Sequence, residues 1–201
     1  MNKITLFEPN ITNLEKKIVQ DYLNKNQIST YGYFNKLLEN EINKLTGSSY
    51  SLATNSGSSA LFVAFKSIGV KENEIIITQS YTFTATTNAI LLNNSIPLLL
   101  DISKENLCLD IIHLESFLKN ETFRNKKFTY HKKTKKKISC ICIVLTLGII
   151  PDLSKFKILS KKYNLKIVLD AACAIGHKFN GKKLSSFCDI VTYSLNGNKN
   201  I

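Results

Sequence analysis

Apolar residues at Ile11, Leu14, Ile18, Tyr22 and Leu23 recur at a helical period and predict a helix over 11–25. Phe34, Leu37, Leu38, Ile42 and Leu45 repeat the pattern over 33–45, and Gly47 supplies a C-terminal stop. The period then changes. Short apolar or alternating runs at 50–54, 74–79, 96–102, 138–146, 166–171 and 189–195 predict strands. Helix-like stretches lie between most of them, at 58–68 (with Leu61, Ala64, Phe65 and Ile68 on one face), 82–92, 110–119 and 152–163. Strands alternating with helices predict an α/β fold around a mostly parallel sheet with right-handed crossovers. The run at 138–145 is apolar nearly throughout, as a strand covered on both faces would be.

Composition narrows this picture. The chain has 201 residues, 44% of them hydrophobic and 21% charged, enough for a real core and not a disordered composition. Its formal charge is +12, from 27 basic and 15 acidic residues, but Arg124 is the only arginine. Base-edge reading favours the forked guanidinium, so a lysine-dominated surface argues against specific nucleic-acid recognition. The polar stretch 120–137 carries Lys132, Lys133, Lys135, Lys136 and Lys137. It reads as a solvated hairpin or loop, with an electrostatic patch for an anionic partner as the alternative. Cys108, Cys140, Cys142, Cys173 and Cys188 form no C-x-x-C pair, and alternation puts Cys140 and Cys142 on one strand face, in the core. An odd cysteine count without a leader at the N-terminus points to a reducing cytoplasm. The three histidines are not spaced with the cysteines as zinc ligands, so no metal is expected. No apolar run is long enough to span a bilayer.

In an open α/β sheet, ligands sit beyond the carboxyl ends of the strands, and three polar clusters fall there. Asn55-Ser56-Gly57-Ser58-Ser59-Ala60-Leu61 precedes an amphipathic helix, so its glycine, hydroxyls and free amides can seat an anion, or merely cap the helix. Asp170 ends a strand and is followed by Ala171-Ala172-Cys173; it can cap a turn or hold a cationic ligand group. Tyr193-Ser194-Leu195-Asn196-Gly197-Asn198-Lys199 follows the last predicted strand and ends in an amine. An anion seat, a carboxylate and an amine are what pyridoxal 5'-phosphate requires, and Phe83 in Tyr81-Thr82-Phe83-Thr84-Ala85-Thr86 is a flat ring to cover it, or plain core.

These blocks, with Gly148 and Asp152 in Thr146-Leu147-Gly148-Ile149-Ile150-Pro151-Asp152, resemble the signature blocks of the DegT/StrS aminotransferases. The resemblance runs from Ile28-Ser29-Thr30-Tyr31-Gly32 to the last residue. It implies a three-layer, fold-type-I large domain over 49–201 behind an N-terminal helical segment at 1–48. It also implies transfer of an amino group from an amino acid, by resemblance glutamate, to a nucleotide-linked keto-sugar in surface-polysaccharide biosynthesis. Carried over by position, Ser58 and Ser59 with their amides would bind the cofactor phosphate, and Ser194 would add a hydroxyl. Phe83 would stack on the pyridine ring, Asp170 would pair with its nitrogen, and Lys199 would bind the cofactor's aldehyde and shuttle the proton. The Asn196-Gly197-Asn198-Lys199 ending and the lysine-rich insert resemble the legionaminic-acid branch, which implies a UDP-linked 4-keto-sugar. A dehydrating relative has His in place of Lys199, so Lys199 speaks for amino transfer.

Two departures stand out. Cys173 occupies a position where the family has Gln or His against the cofactor's phenolic oxygen, and a thiol is the weaker hydrogen-bonding group. Related enzymes are also roughly twice as long and act as homodimers whose partner subunit completes each site. The chain ends just after Lys199, so the expectation is an N-terminal portion without the C-terminal small domain, inactive by itself. A catalytically silent product with only an interaction role, or a basic nucleic-acid-binding domain, are the alternatives.

Overall fold

The computed structural model describes residues 10–26 and 32–199. Readings that rest on residues 1–9, 27–31 and 200–201 lie outside them. In chain order the elements are α1 (Asn13–Asn24), α2 (Tyr33–Thr46), α3 (Gly57–Ser67), β1 (Ile75–Gln79), α4 (Thr84–Leu92), β2 (Ile96–Leu100) and α5 (Ile111–Asn120). They continue as β3 (Thr122–Asn125), β4 (Phe128–His131), β5 (Lys137–Val144), α6 (Leu153–Tyr163), β6 (Lys166–Asp170), β7 (Lys178–Phe179), β8 (Lys182–Lys183) and β9 (Ile190–Thr192).

The main sheet has seven strands. Parallel pairs run β2-β1-β5-β6-β9, the order expected when helical crossovers link the strands. The β3–β4 hairpin adds antiparallel to the start of β5, through Thr129↔Ile138 and Tyr130↔Lys137. The basic stretch 120–137 is therefore a sheet hairpin; Lys135 and Lys137 lie over the rings of Phe123 and Phe128, and Lys137 also pairs with Glu74 at 2.9 Å.

Alternation splits the buried residues between two faces. Ile75, Ile77, Ile141 and Ile143 pack with Leu114, Leu118, Phe156 and Leu159 of α5 and α6. Ile76, Val168, Cys140 and Cys142 pack with Leu61, Phe65, Ala89 and Ile90 of α3 and α4. Three layers result, as the family resemblance implies, with both cysteines of β5 in the core of one face. Burial pushes the Cys140 and Cys142 thiols well above their ordinary pKa, which makes them packing residues rather than nucleophiles.

One predicted strand does not form. Residues 50–54 form no regular element and pair with no strand. Their polar groups bond to α2 side chains instead: Ala53 N–H donates to Glu39 Oε1 (2.9 Å) and Ser51 Oγ to Asn43 Oδ1 (2.7 Å). Tyr50 and Leu52, the apolar half of the alternation, are 91% and 70% exposed. An alternating pattern makes a strand only where a sheet edge takes its ladder and a core takes its apolar side, and neither is present here.

The loops after β1, β5, β6 and β9 leave the sheet at its carboxyl edge. The site is built there.

Candidate functional site

The helix α3 starts at this edge. Ser56 is its N-cap: its Oγ accepts from Ser59 N–H at 3.2 Å and lies 3.1 Å from the Ser59 hydroxyl. That cap satisfies one of the first amides and leaves the N–H groups of Gly57 and Ser58 outside the helical ladder, directed beyond the helix start. Ser58 is exposed and Ser59 half-buried. The loop after β9 packs directly on this turn. A β-carbon on Gly57 would stand 3.3 Å from Ser194 Cβ and 3.5 Å from its Oγ, so the glycine is what lets Ser194 approach the anion seat.

Asp170 ends β6 and is 6% exposed. Thr86 Oγ1 donates to its Oδ2 at 2.7 Å, and Ala172 N–H donates to its Oδ1 at 3.3 Å. Burial raises the Asp170 pKa; the Thr86 and Ala172 hydrogen bonds and the Lys199 charge pull the other way without cancelling the rise. A buried carboxylate of this kind is poised to take a cationic hydrogen-bond donor. Thr82 Oγ1 lies 2.9 Å from Thr86 Oγ1, which ties the turn before α4 to the same carboxylate.

That turn presents Phe83, the residue before α4, with 76% of its surface exposed. The Lys199 amine stands 5.8 Å from its ring centroid and donates to Cys173 Sγ at 3.7 Å. The backbone of Lys199 is held by a turn bond to Asn196 O at 2.8 Å. Lys199, Cys173, Phe83 and Asp170 thus converge on one shelf, with Ser194 and the α3 start along its side. Two recesses of about 270 and 330 Å³ lie elsewhere, against α6, and their linings gather no such set.

This arrangement belongs with a particular family. Residues 9–201 match the DegT/DnrJ/EryC1/StrS aminotransferase family. The chain belongs to it. Its similarity to GDP-perosamine synthase of Escherichia coli O157:H7 is 28% identity over 201 residues, which is 100% of this chain and 51% of that protein. Among solved structures, the aminotransferase from Psychrobacter cryohalolentis superposes with a TM-score of 0.82 at 22% identity, covering 96% of this chain and 46% of that one. NtdA from Bacillus subtilis, solved with bound cofactor PMP, gives a TM-score of 0.76 at 24% identity, covering 94% of this chain and 40% of that one. The chain spans about half the length of the family members it matches. No helix among the described residues is long and apolar enough to cross a membrane.

Ser58, Ser59, Phe83, Asp170, Cys173, Ser194 and Lys199 all lie at this edge, but with altered detail. Ser59 N–H, expected to face an anion, is already engaged by Ser56. Sequence reasoning named neither Ser56 nor Thr86 as partners of the site residues. The Ser-x-x-Ser spacing of a helix cap could have flagged the first; the second crosses from α4 to β6 and leaves no local signal. Gly148, read only as a family match, has a geometric reason. Its φ is +81°, and a β-carbon there would lie 2.7 Å from the carbonyl oxygen of Cys173 and 3.2 Å from His177 Cε1. Gly148→Ala is therefore expected to destabilise the chain by about 2–3 kcal/mol, from left-handed backbone and the clash together. Urea unfolding measures it; an unchanged midpoint would contradict the packing of Gly148 on the Cys173 turn.

Proposed function

We propose that this chain is the cofactor-binding part of a pyridoxal-phosphate-dependent sugar aminotransferase. The observation that carries the reading is the meeting of a buried carboxylate, Asp170, with a lysine amine and an uncovered aromatic ring on one shelf. The residues fit the cofactor group by group. The free amides of Gly57 and Ser58, with the Ser58 and Ser194 hydroxyls, suit a phosphate at a helix start. Phe83 offers a face for a flat ring. Cys173 Sγ, beside the Lys199 amine, faces the same space.

When bound, pyridoxal phosphate supplies a protonated pyridine ring that draws negative charge away from the carbon losing a proton. The protein's part is orientation and proton handling. Asp170 holds a proton on the ring nitrogen, and its burial strengthens that charge-assisted bond. Thr86 and Ala172 keep the carboxylate aimed. The Lys199 amine, beside the Phe83 ring and Cys173, would be the group to take the proton from the amino donor's α-carbon. Glutamate as donor and a nucleotide-linked keto-sugar as acceptor extend this reading, with support from the family and from the name of the Escherichia coli relative. Within it, residues 49–201 are the cofactor-holding unit, preceded by a flank that carries α1 and α2.

The 201-residue polypeptide by itself is proposed to bind the cofactor weakly and to transfer no amino group. Phe83 lies open, and nothing among the described residues covers the shelf against water, whereas transfer needs reacting groups held close. The test is a titration of the purified chain with pyridoxal phosphate, followed by its visible absorbance. A saturable band is expected. Its absence up to about millimolar cofactor, the weak end of specific binding, would overturn the reading. Amination of UDP- and GDP-linked 4-keto-sugars with glutamate, measured on the same sample, is expected to stay at background.

A further inference from the structure

Gln79, the last residue of β1, is fully buried and lies on the sheet face opposite Asp170, beneath the shelf. No local pattern marks it, yet its amide meets polar groups of three separate segments. The two N–H groups of Nε2 face three acceptors, Tyr81 O (2.9 Å), Thr146 Oγ1 (2.8 Å) and Leu107 O (3.2 Å), so one hydrogen is shared. Oε1 accepts from Leu109 N–H (3.0 Å) and Val144 N–H (3.2 Å). Thr146 closes the network by donating to Leu107 O at 2.9 Å. One amide therefore joins the ends of β1 and β5 to the segment before α5.

Two of these contacts lead into the site. Tyr81 O belongs to the turn that presents Thr82 and Phe83, and Thr82 reaches Asp170 through Thr86. Thr146 begins the loop whose Gly148 packs on the Cys173 carbonyl and whose carbonyl bonds His177 Nδ1 at 3.2 Å. Cys173 in turn receives the Lys199 amine. A second, independent observation marks the same place. Leu107 and Leu147, each contacting or adjoining this network, have φ of 56° and 53°, and Leu147 is also 72% exposed. A bulky residue keeps left-handed backbone only where its surroundings over-determine it.

We propose that Gln79 is a positioning residue that holds both walls of the shelf, the Tyr81–Phe83 turn and the Thr146–Gly148 loop, in one arrangement. Its relevance to cofactor geometry rests on the aminotransferase reading; the coupling of the two loops does not. The two are tested separately on the 201-residue chain. Thr146→Val removes one hydroxyl on one side only. If Gln79 couples the walls, hydrogen exchange of the Thr86 amide, which closes the Tyr81–Phe83 turn by bonding Phe83 O at 3.1 Å and which Thr146 does not touch, is expected to speed up about fivefold or more while far-UV circular dichroism stays unchanged. Exchange that changes only around Thr146 overturns the proposal.

Gln79→Glu gives the second arm. A carboxylate still accepts from Leu109 and Val144 but faces Tyr81 O and Leu107 O with no proton to donate; protonation restores the donor. Cofactor affinity of this variant is expected to fall about tenfold at pH 8 and to recover toward pH 5, with a matching change in the visible circular dichroism of bound cofactor, relative to wild type at each pH. Wild-type affinity and an unaltered visible signal at pH 8 overturn the positioning role. If wild type shows no cofactor band at all, the aminotransferase reading fails, and the exchange arm still decides the coupling.

Discussion

Reduction of the cofactor-loaded chain with borohydride is expected to leave pyridoxyl label on Lys199, and Lys199→Ala is expected to reduce that label to background. The chain has 26 lysines, so chemistry alone would spread the label. Position selects one. Lys199 is half-buried at the carboxyl edge, between the Phe83 ring and Cys173, with the Asp170 carboxylate close enough to feel its charge. Lys132, Lys133 and Lys135, by contrast, are exposed on the hairpin at the amino end of β5. Peptide mapping of the reduced protein reads the outcome. Label retained in the alanine variant, or spread over hairpin lysines, would remove Lys199 from the site.

Asp170→Asn is expected to separate stability from function. In the native chain burial holds the Asp170 pKa above its ordinary value, so as pH rises the unfolded chain loses this proton first. The native state then binds more protons than the unfolded one, and stability falls with rising pH from about 3.9, the ordinary aspartate pKa, up to the raised native value. Asparagine carries no such penalty. Its carbonyl can accept from Ala172, and its amide can donate to Thr86, whose hydroxyl can turn toward Thr82. The cofactor-free variant should melt higher than wild type at neutral pH, with the gap narrowing toward pH 4. Its affinity for pyridoxal phosphate should fall about 10- to 100-fold, the worth of one charge-assisted hydrogen bond to the ring nitrogen. Thermal melts across pH with a cofactor titration test both halves. A variant that melts lower and binds normally would reduce Asp170 to a cap on the Ala172 turn.

Opposite signs in these two measurements would mark Asp170 as a carboxyl kept for binding rather than for stability. Local consistency would place a non-ionisable group at a position this buried, and the chain instead has a carboxyl whose charged form burial disfavours. Leu147 is a second case, a left-handed leucine exposed to solvent where asparagine or glycine would be unstrained.

The sequence by itself determined the helices, most of the strands, the mostly parallel α/β arrangement and the edge at which the site lies. These follow from periodicity: β5 and β6 are apolar on both faces because helices cover both, and α3, α5 and α6 carry one apolar stripe each. The family blocks also fixed which residues to watch, because Gly57, Asp170, Ser194 and Lys199 lie at loop starts where local chain chemistry is distinctive. Tertiary structure decided the rest. Residues 50–54 alternate like a strand yet lie against α2, since strand formation depends on an available edge, which no local pattern encodes. Ser59 looked free until the geometry of Ser56 showed its amide taken. Thr86 to Asp170 spans 84 residues, and Gln79 to Thr146 spans 67. Such contacts arise only when the parallel sheet brings distant strand ends to one edge. That is why the catalytic candidates were legible in the sequence, whereas the residues that hold them in place appeared only in the fold.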